Sequence, residues 1–250
     1  MDLGLKGKVA IVAGGSRGIG LAVARCLARE GALVAIAARN SGPLEEARKS
    51  LVQETATDIF PVTANMANAE DVARLFAEVE TNLGPAEIVI ANAGSGSGQG
   101  GFSIGRTEWQ RVLDENLFSA ALVAEEALRR MCERNKGSLT FVGSIAGIEA
   151  IGAPVPYSAA KAGILGFTKS LGKELATTGV LVNAVTPAVF RTALLDQMPQ
   201  SQIDYMVAKI PMGRLGEIDD VAAMVCWLLS EECSFSTAAT FDISGGRTTY

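Results

Sequence analysis

Short apolar runs alternate with longer amphipathic stretches along the whole chain. Val9–Ala13, Leu33–Ala38, Ile59–Val62, Ile88–Ala91, Leu139–Gly143, Leu181–Val185 and Thr240–Ile243 are the strand candidates, and several are almost wholly apolar. Strands of that kind, without polar alternation, fit a parallel sheet covered on both faces. Between them the apolar positions recur at helical spacing. From Asn68 to Asn82, Val72, Leu75, Phe76 and Val79 share one helix face, and Asn68 is placed to cap its start. Ile218–Ser230 is a second such stretch. Strand and helix alternating at this interval predict right-handed βαβ units. The expected class is therefore α/β: three layers, doubly wound, with a seven-stranded parallel sheet. No linker, repeat or low-complexity segment divides the chain, so residues 1–250 are expected to form one domain. The Gly/Ser-rich stretch Ser95–Gly101 has two readings, a mobile loop beside a site or an ordinary surface turn.

Composition narrows the chemistry. The chain has 250 residues, 48% of them hydrophobic. No apolar run approaches the length of a membrane helix. Residues 1–8 hold no stretch resembling a signal peptide, and a cytoplasmic protein is expected. The net charge of −5 leaves no electrostatic footprint for nucleic acid. Histidine is absent altogether. That excludes histidine acid–base chemistry, Ser-His-Asp hydrolysis and histidine-ligated metal. Cys26, Cys132, Cys226 and Cys233 lack metal-ligand spacing and read as reduced thiols, so no metal is expected.

Directly after the first strand comes Ala13-Gly14-Gly15-Ser16-Arg17-Gly18-Ile19-Gly20, which opens a helix. Glycines allow a tight turn and close approach of backbone to a pyrophosphate. The helix N-terminus adds free N–H groups and the positive end of its dipole. A strand–glycine turn–helix unit is the signature of a dinucleotide site. The second strand ends at Ala38-Arg39-Asn40, with no acidic residue before Glu45. An NAD site usually carries an acid there for the ribose 2′-hydroxyl. Arg17 and Arg39 instead offer charge for a 2′-phosphate, which favours NADP over NAD. The alternative is that both are solvated surface charges.

Tyr157 and Lys161 stand four residues apart and so share a helix face. A tyrosine ordinarily titrates near 10, and a neighbouring ammonium is expected to lower that value. Ser144 follows a strand, where its hydroxyl can hold a substrate oxygen. With Asn116, these residues match the tetrad of the short-chain dehydrogenase/reductase family, which the sequence resembles over nearly its whole length. Gly14, Gly18 and Gly20 match the family's Gly-x-x-x-Gly-x-Gly loop, and Asn92-Ala93-Gly94 most of its Asn-Asn-Ala-Gly motif.

The resemblance implies a Rossmann-type fold and a nicotinamide-dependent oxidoreductase acting on a carbonyl or secondary alcohol. Catalysis is assigned to Asn116, Ser144, Tyr157 and Lys161, with Lys161 also bonding the nicotinamide ribose and Asn116 supporting a relay water. Cofactor contacts are assigned to Gly14, Ser16, Arg17, Gly18, Ile19 and Gly20. Further contacts are Arg39, Asn40, Asn65, Met66, Asn92, Ala93, Gly94, Tyr157 and Lys161, and then Pro187, Ala188, Val189 and Thr192. The sequence departs from the family at Ala13 for Thr, Asn65-Met66 for Asp-Val, and Pro187-Ala188 for Pro-Gly.

The family's substrate loop corresponds to about residues 189–212, with Phe190, Leu194, Leu195, Met198 and Met206 among polar residues. These either cover a partly apolar substrate or pack two short helices. Arg191 and Arg247 are candidate anion contacts; for the tail, fraying is the alternative. A homotetramer is implied, with Ile164, Leu165, Phe167 and Leu171 as supporting apolar positions; packing of much of that face inside the subunit is the alternative. The substrate small molecule is read as a 3-oxoacyl or other ketone, with a sugar or sugar acid as the alternative. A catalytically silent NADPH-binding scaffold is the reading of a different class.

Overall fold

The structure is a computed structural model and describes residues 2–191 and 199–248. Seven strands form one sheet: β1 Val9–Ala13, β2 Leu33–Ala38, β3 Ile59–Thr63, β4 Ala86–Ala91, β5 Gly137–Val142, β6 Val180–Pro187 and β7 Thr240–Ile243. Their order is β3-β2-β1-β4-β5-β6-β7, and every pairing is parallel. The expected strands are all present; β1, β2 and β7 have the expected ends, and β3, β4, β5 and β6 differ by one or two residues. Pro61 is tolerated because β3 lies at the sheet edge, where one side of the strand needs no ladder donor.

The helices are α1 Gly18–Arg29, α2 Ser41–Thr55, α3 Ala69–Asn82, α4 Gly105–Leu113, α5 Ser119–Arg134, α6 Val155–Glu174, α7 Gln200–Val207 and α8 Ile218–Leu228. A π-helical turn, Asp114–Phe118, joins α4 to α5. The period-two pleat sorts β1 between two cores. Val9, Ile11 and Ala13 face one core, which α3, α5 and α6 cover with residues such as Val72, Phe76, Val123 and Ile164. Ala10 and Val12 face the other, covered from α1, α2 and α8 by Leu27, Leu44, Leu51 and Val225. Asn68 does cap α3, its side chain accepting from the Asp71 N–H at 2.9 Å.

Two sequence readings are settled by burial. Ile164 and Leu165 pack inside the subunit, at 1% and 8% exposure, so they cannot form an intersubunit face. The tail is anchored at least as far as Thr248, whose N–H bonds Ser244 Oγ at 3.0 Å. Among the described residues no helix is long and apolar enough to cross a membrane. The four cysteines are free, with Cys226 and Cys233 buried and Cys26 and Cys132 half-buried.

The topology places the site. After β1 the chain winds toward β2 and β3, then returns to pair β4 on the other side of β1. Doubly wound sheets bind ligands in the crevice at such a switch point, beyond the carboxyl ends of the strands. Register makes those ends level: Ala13 pairs with both Ala37 and Ala91. The glycine turn, Arg39 and Asn92 therefore emerge on one edge.

Candidate active site

The turn after β1 is tied to its neighbours by backbone and amide. Gly14 and Gly15 donate to the Ala37 carbonyl at 2.8 and 3.1 Å. Asn92 Nδ2 donates to the Gly14 carbonyl at 2.9 Å, stapling the end of β4 to the turn. At Gly20 a β-carbon would come 2.1 Å from that same carbonyl, so only glycine lets α1 approach so closely. Gly18 has φ +56 and nothing within 4 Å of where a β-carbon would be, which leaves space above the turn. Arg17, at the N-cap of α1, makes no side-chain cap. The first N–H groups of the helix thus face an uncapped, open cradle, which fits a dinucleotide pyrophosphate.

That cradle is one end of a cleft of about 360 Å³. Its walls include Gly14, Ser16, Arg17 and Ile19 from the turn, and Arg39 and Asn40 from the end of β2. Asn65 and Met66 from the end of β3, and Asn92, Ala93 and Gly94 from the end of β4, complete most of it. Asn65 closes a local turn, its Oδ1 accepting from Ala67 N–H at 3.1 Å, while Met66 sends its side chain into the core at 4% exposure. An adjoining cavity of about 180 Å³ shares Ile19, Asn92 and Gly94 and is lined by Asn116, Ser144, Tyr157, Lys161, Pro187 and Ala188. All four residues expected to be catalytic thus meet in one place, next to the expected cofactor contacts. Gly18 and Gly20 shape the turn rather than line the cleft. Val189 lies with Ala188 in a third cavity, of about 350 Å³, walled by Phe190, Ile210, Met212 and Gly245. Thr192, Leu194, Leu195 and Met198 fall outside the described residues.

Ser144 N-caps a short 3₁₀ turn, its Oγ accepting from Ala146 N–H at 3.1 Å. Its hydroxyl also hydrogen-bonds Tyr157. Lys161 is buried and donates from Nζ to the Val142 carbonyl at 2.8 Å. The ammonium stands 5.6 Å from the centre of the Tyr157 ring. Burial pushes Lys161 down to about 8. Tyr157 moves opposite to the sequence expectation: burial raises its titration point, and only the Ser144 hydrogen bond works against it. The reason is geometric. Lys161 lies over the ring face and spends a proton on Val142, so desolvation of the phenol wins. Tyr157 consequently keeps its phenolic proton at neutral pH.

Asn116 is fully buried in the π-helical turn. Its Nδ2 donates to the carbonyls of Ser95 and Val112 at 3.1 and 3.0 Å, and its Oδ1 accepts from Ser95 N–H at 3.1 Å. Both amide protons are thereby committed, and the residue clamps the start of the Ser95–Gly101 segment. Gly94 makes the clamp possible, since a β-carbon there would meet Asn116 Oδ1 at 2.7 Å.

Both candidate anion-binding arginines have carboxylate partners. Arg191, exposed, pairs with Glu217 at 3.3 Å, and Arg247, largely buried, pairs with Glu149 at 3.7 Å. The sequence reading also missed Glu115. It lines the larger cleft and sits 3.4 Å from Arg39 across it. Seventy-six positions separate the two in sequence, so no local pattern could have joined them. No cluster of groups able to hold a metal ion occurs among the described residues.

A family model described as enoyl-(acyl carrier protein) reductase matches residues 13–248. The chain is 44% identical to a 2-dehydro-3-deoxy-L-rhamnonate dehydrogenase (NAD(+)) of Sphingomonas sp. (strain SKA58), covering 98% of this chain and 96% of the relative. It is 35% identical to a 3-oxoacyl-acyl-carrier-protein reductase of Rickettsia prowazekii, covering 97% of each. The solved structure of L-sorbose reductase from Gluconobacter frateurii, complexed with NADPH and L-sorbose, superimposes with a TM-score of 0.93 at 27% identity, over 100% of each chain.

Proposed function

The chain belongs to the short-chain dehydrogenase/reductase family and is an oxidoreductase of CH–OH and C=O groups; from that premise we propose that it interconverts a ketone and a secondary alcohol on a small hydroxylated acid. The observation that carries the reaction is the meeting of Ser144, Tyr157 and Lys161 in one cavity beside the dinucleotide cradle. A bound nicotinamide dinucleotide supplies or accepts the hydride. Tyr157, held protonated by burial, gives its proton to the carbonyl oxygen in the direction of reduction. Ser144 donates a second hydrogen bond to that oxygen as negative charge develops on it. Lys161, held beside the Tyr157 ring by its hydrogen bond to the Val142 carbonyl, is the group that would bond the nicotinamide ribose. Asn116 is a positioning residue, fixing Ser95 and the wall of the cavity.

The sugar-acid assignment rests on the 44% identity to a dehydrogenase of that substrate class over almost the full chain. A second reading, reduction of 3-oxoacyl substrates, draws on Val189, Phe190, Ile210 and Met212 in the third cavity, an apolar wall suited to an acyl chain. Arg17 and Arg39 in the cleft, with no acid at the end of β2, support acceptance of NADP(H). Initial rates with 2-oxo-3-deoxy sugar acids, simple sugars and acetoacetyl thioesters, each with both nicotinamide dinucleotides, test the reading. The highest kcat/KM is expected with a sugar acid; a thioester preferred tenfold or more overturns that assignment.

A further inference from the structure

Three charged side chains line the larger cleft among the described residues: Arg17, Arg39 and Glu115. Glu115 belongs to the π-helical turn next to the tetrad asparagine, yet its carboxylate points across the cleft to the end of β2. Its Oε1 accepts from Arg39 Nη1 at 3.4 Å. Its Oε2 accepts from Arg111 Nη1 at 3.0 Å. Arg111 is itself held by a two-point contact with Glu108, at 2.8 Å from both Nε and Nη2. Glu108 also accepts from Gln99 N–H at 3.1 Å, and these contacts bring it down to about 2. The row Glu108–Arg111–Glu115–Arg39 therefore runs from the Ser95–Gly101 segment to the dinucleotide cleft, and Arg111 keeps Glu115 from swinging away.

We infer that Glu115 sets the cofactor preference by acting as a resident counter-ion to Arg39. The inference rests on the reading of Arg39 as the group that meets a 2′-phosphate. That phosphate carries roughly −1.5 to −2 charges near neutral pH. To reach Arg39 it must share the guanidinium with a carboxylate of like sign, or displace it. The uncharged 2′-hydroxyl of NAD(H) meets no such repulsion. The Arg39–Glu115 contact is long and its arginine is 58% exposed, so Glu115 handicaps the phosphorylated cofactor without excluding it. The pair thus keeps NAD(H) competitive in a cleft that lacks the usual acid at the end of β2.

The test is a titration of the unreacted protein with NADPH and with NADH, followed by nucleotide fluorescence at fixed ionic strength. Glu115→Gln should tighten NADPH by about fivefold relative to NADH, the size of an exposed charge pair. Arg111 stays anchored by Glu108 in that variant. Glu115→Asp should stay close to the parent. In an Arg39→Gln background the Glu115→Gln change should lose its selectivity, because the charge it acts through is gone. Equal shifts for the two cofactors, no shift, or a selective shift that persists without Arg39 each overturn the inference. If instead Arg39→Gln alone leaves NADPH binding unchanged, the reading of Arg39 fails, and that result is separate from the Glu115 comparison.

Discussion

Lys161 should cost the protein stability that its chemistry requires, and Lys161→Met isolates the cost. The ammonium is buried, with one hydrogen bond of 2.8 Å to the Val142 carbonyl, and its ordinary value of 10.5 falls to about 8. At about 1.4 kcal/mol per pH unit, holding that charge in the folded state at neutral pH costs about 3 kcal/mol. Losing the hydrogen bond returns about 1 kcal/mol of that, since Val142 lines the cavity and water can reach it. Methionine has similar length and no charge. Without cofactor, Lys161→Met should therefore be about 2 kcal/mol more stable than the parent at pH 7. The sign follows from proton counting. Between about 8 and 10.5 the unfolded chain holds a proton on Lys161 that the folded chain has released, so parental stability rises with pH across that window. The advantage of the variant should shrink there, reach zero at about pH 9.5 and reverse to about 1 kcal/mol in the parent's favour above about pH 10.5. Tyr157, raised by burial, affects stability only above its ordinary value near 10, and in both proteins. Urea unfolding of both proteins at pH 7 and 9.5 measures the difference. A variant that is less stable at pH 7, or a difference independent of pH, refutes the reasoning.

Tyr157→Phe keeps the ring and removes the proton, and should lower kcat by roughly 10²–10⁴ with little change in dinucleotide affinity; near-full activity would move the acid elsewhere. Gly94→Ala puts a β-carbon 2.7 Å from Asn116 Oδ1, and should cost about 1–3 kcal/mol in thermal unfolding together with much of the activity, as the clamp on Ser95 shifts. A homotetramer is expected to use the helices carrying Asn116 and Tyr157, where Phe118 and Val155 are about half exposed. Light scattering that shows a stable monomer at micromolar concentration removes that expectation.

Most of the sheet was legible because its central strands are buried on both faces and so read as apolar runs; β1 and β2 match the predicted limits to the residue, as does the half-buried edge strand β7. The ends of β4 and β6 were not, because Ala86 and Pro187 belong by pairing rather than by pattern. The tetrad was legible through spacing and resemblance, and the structure gathers it. What spacing could not give is partnership between distant segments. Arg39 and Arg247 read as available cations, yet each faces a glutamate brought in by the fold. Asn116 reads as a relay residue, and its side-chain bonds to Ser95 and Val112 add a clamp that spacing could not show. Tyr157 reads as acidified by Lys161, yet desolvation, which depends on everything packed around the ring, prevails.

The anchored tail divides the chain's labour. Gly245 and Gly246 help wall the third cavity, and Arg247 reaches back to Glu149, which lies between Ser144 and Tyr157 in the sequence. The residues proposed to transfer the proton lie between 144 and 161, while one wall of the third cavity comes from Gly245 and Gly246, about a hundred residues downstream. Substitutions at Gly245 or Gly246 would remodel that wall and leave the cavity that holds Ser144 and Tyr157 in place.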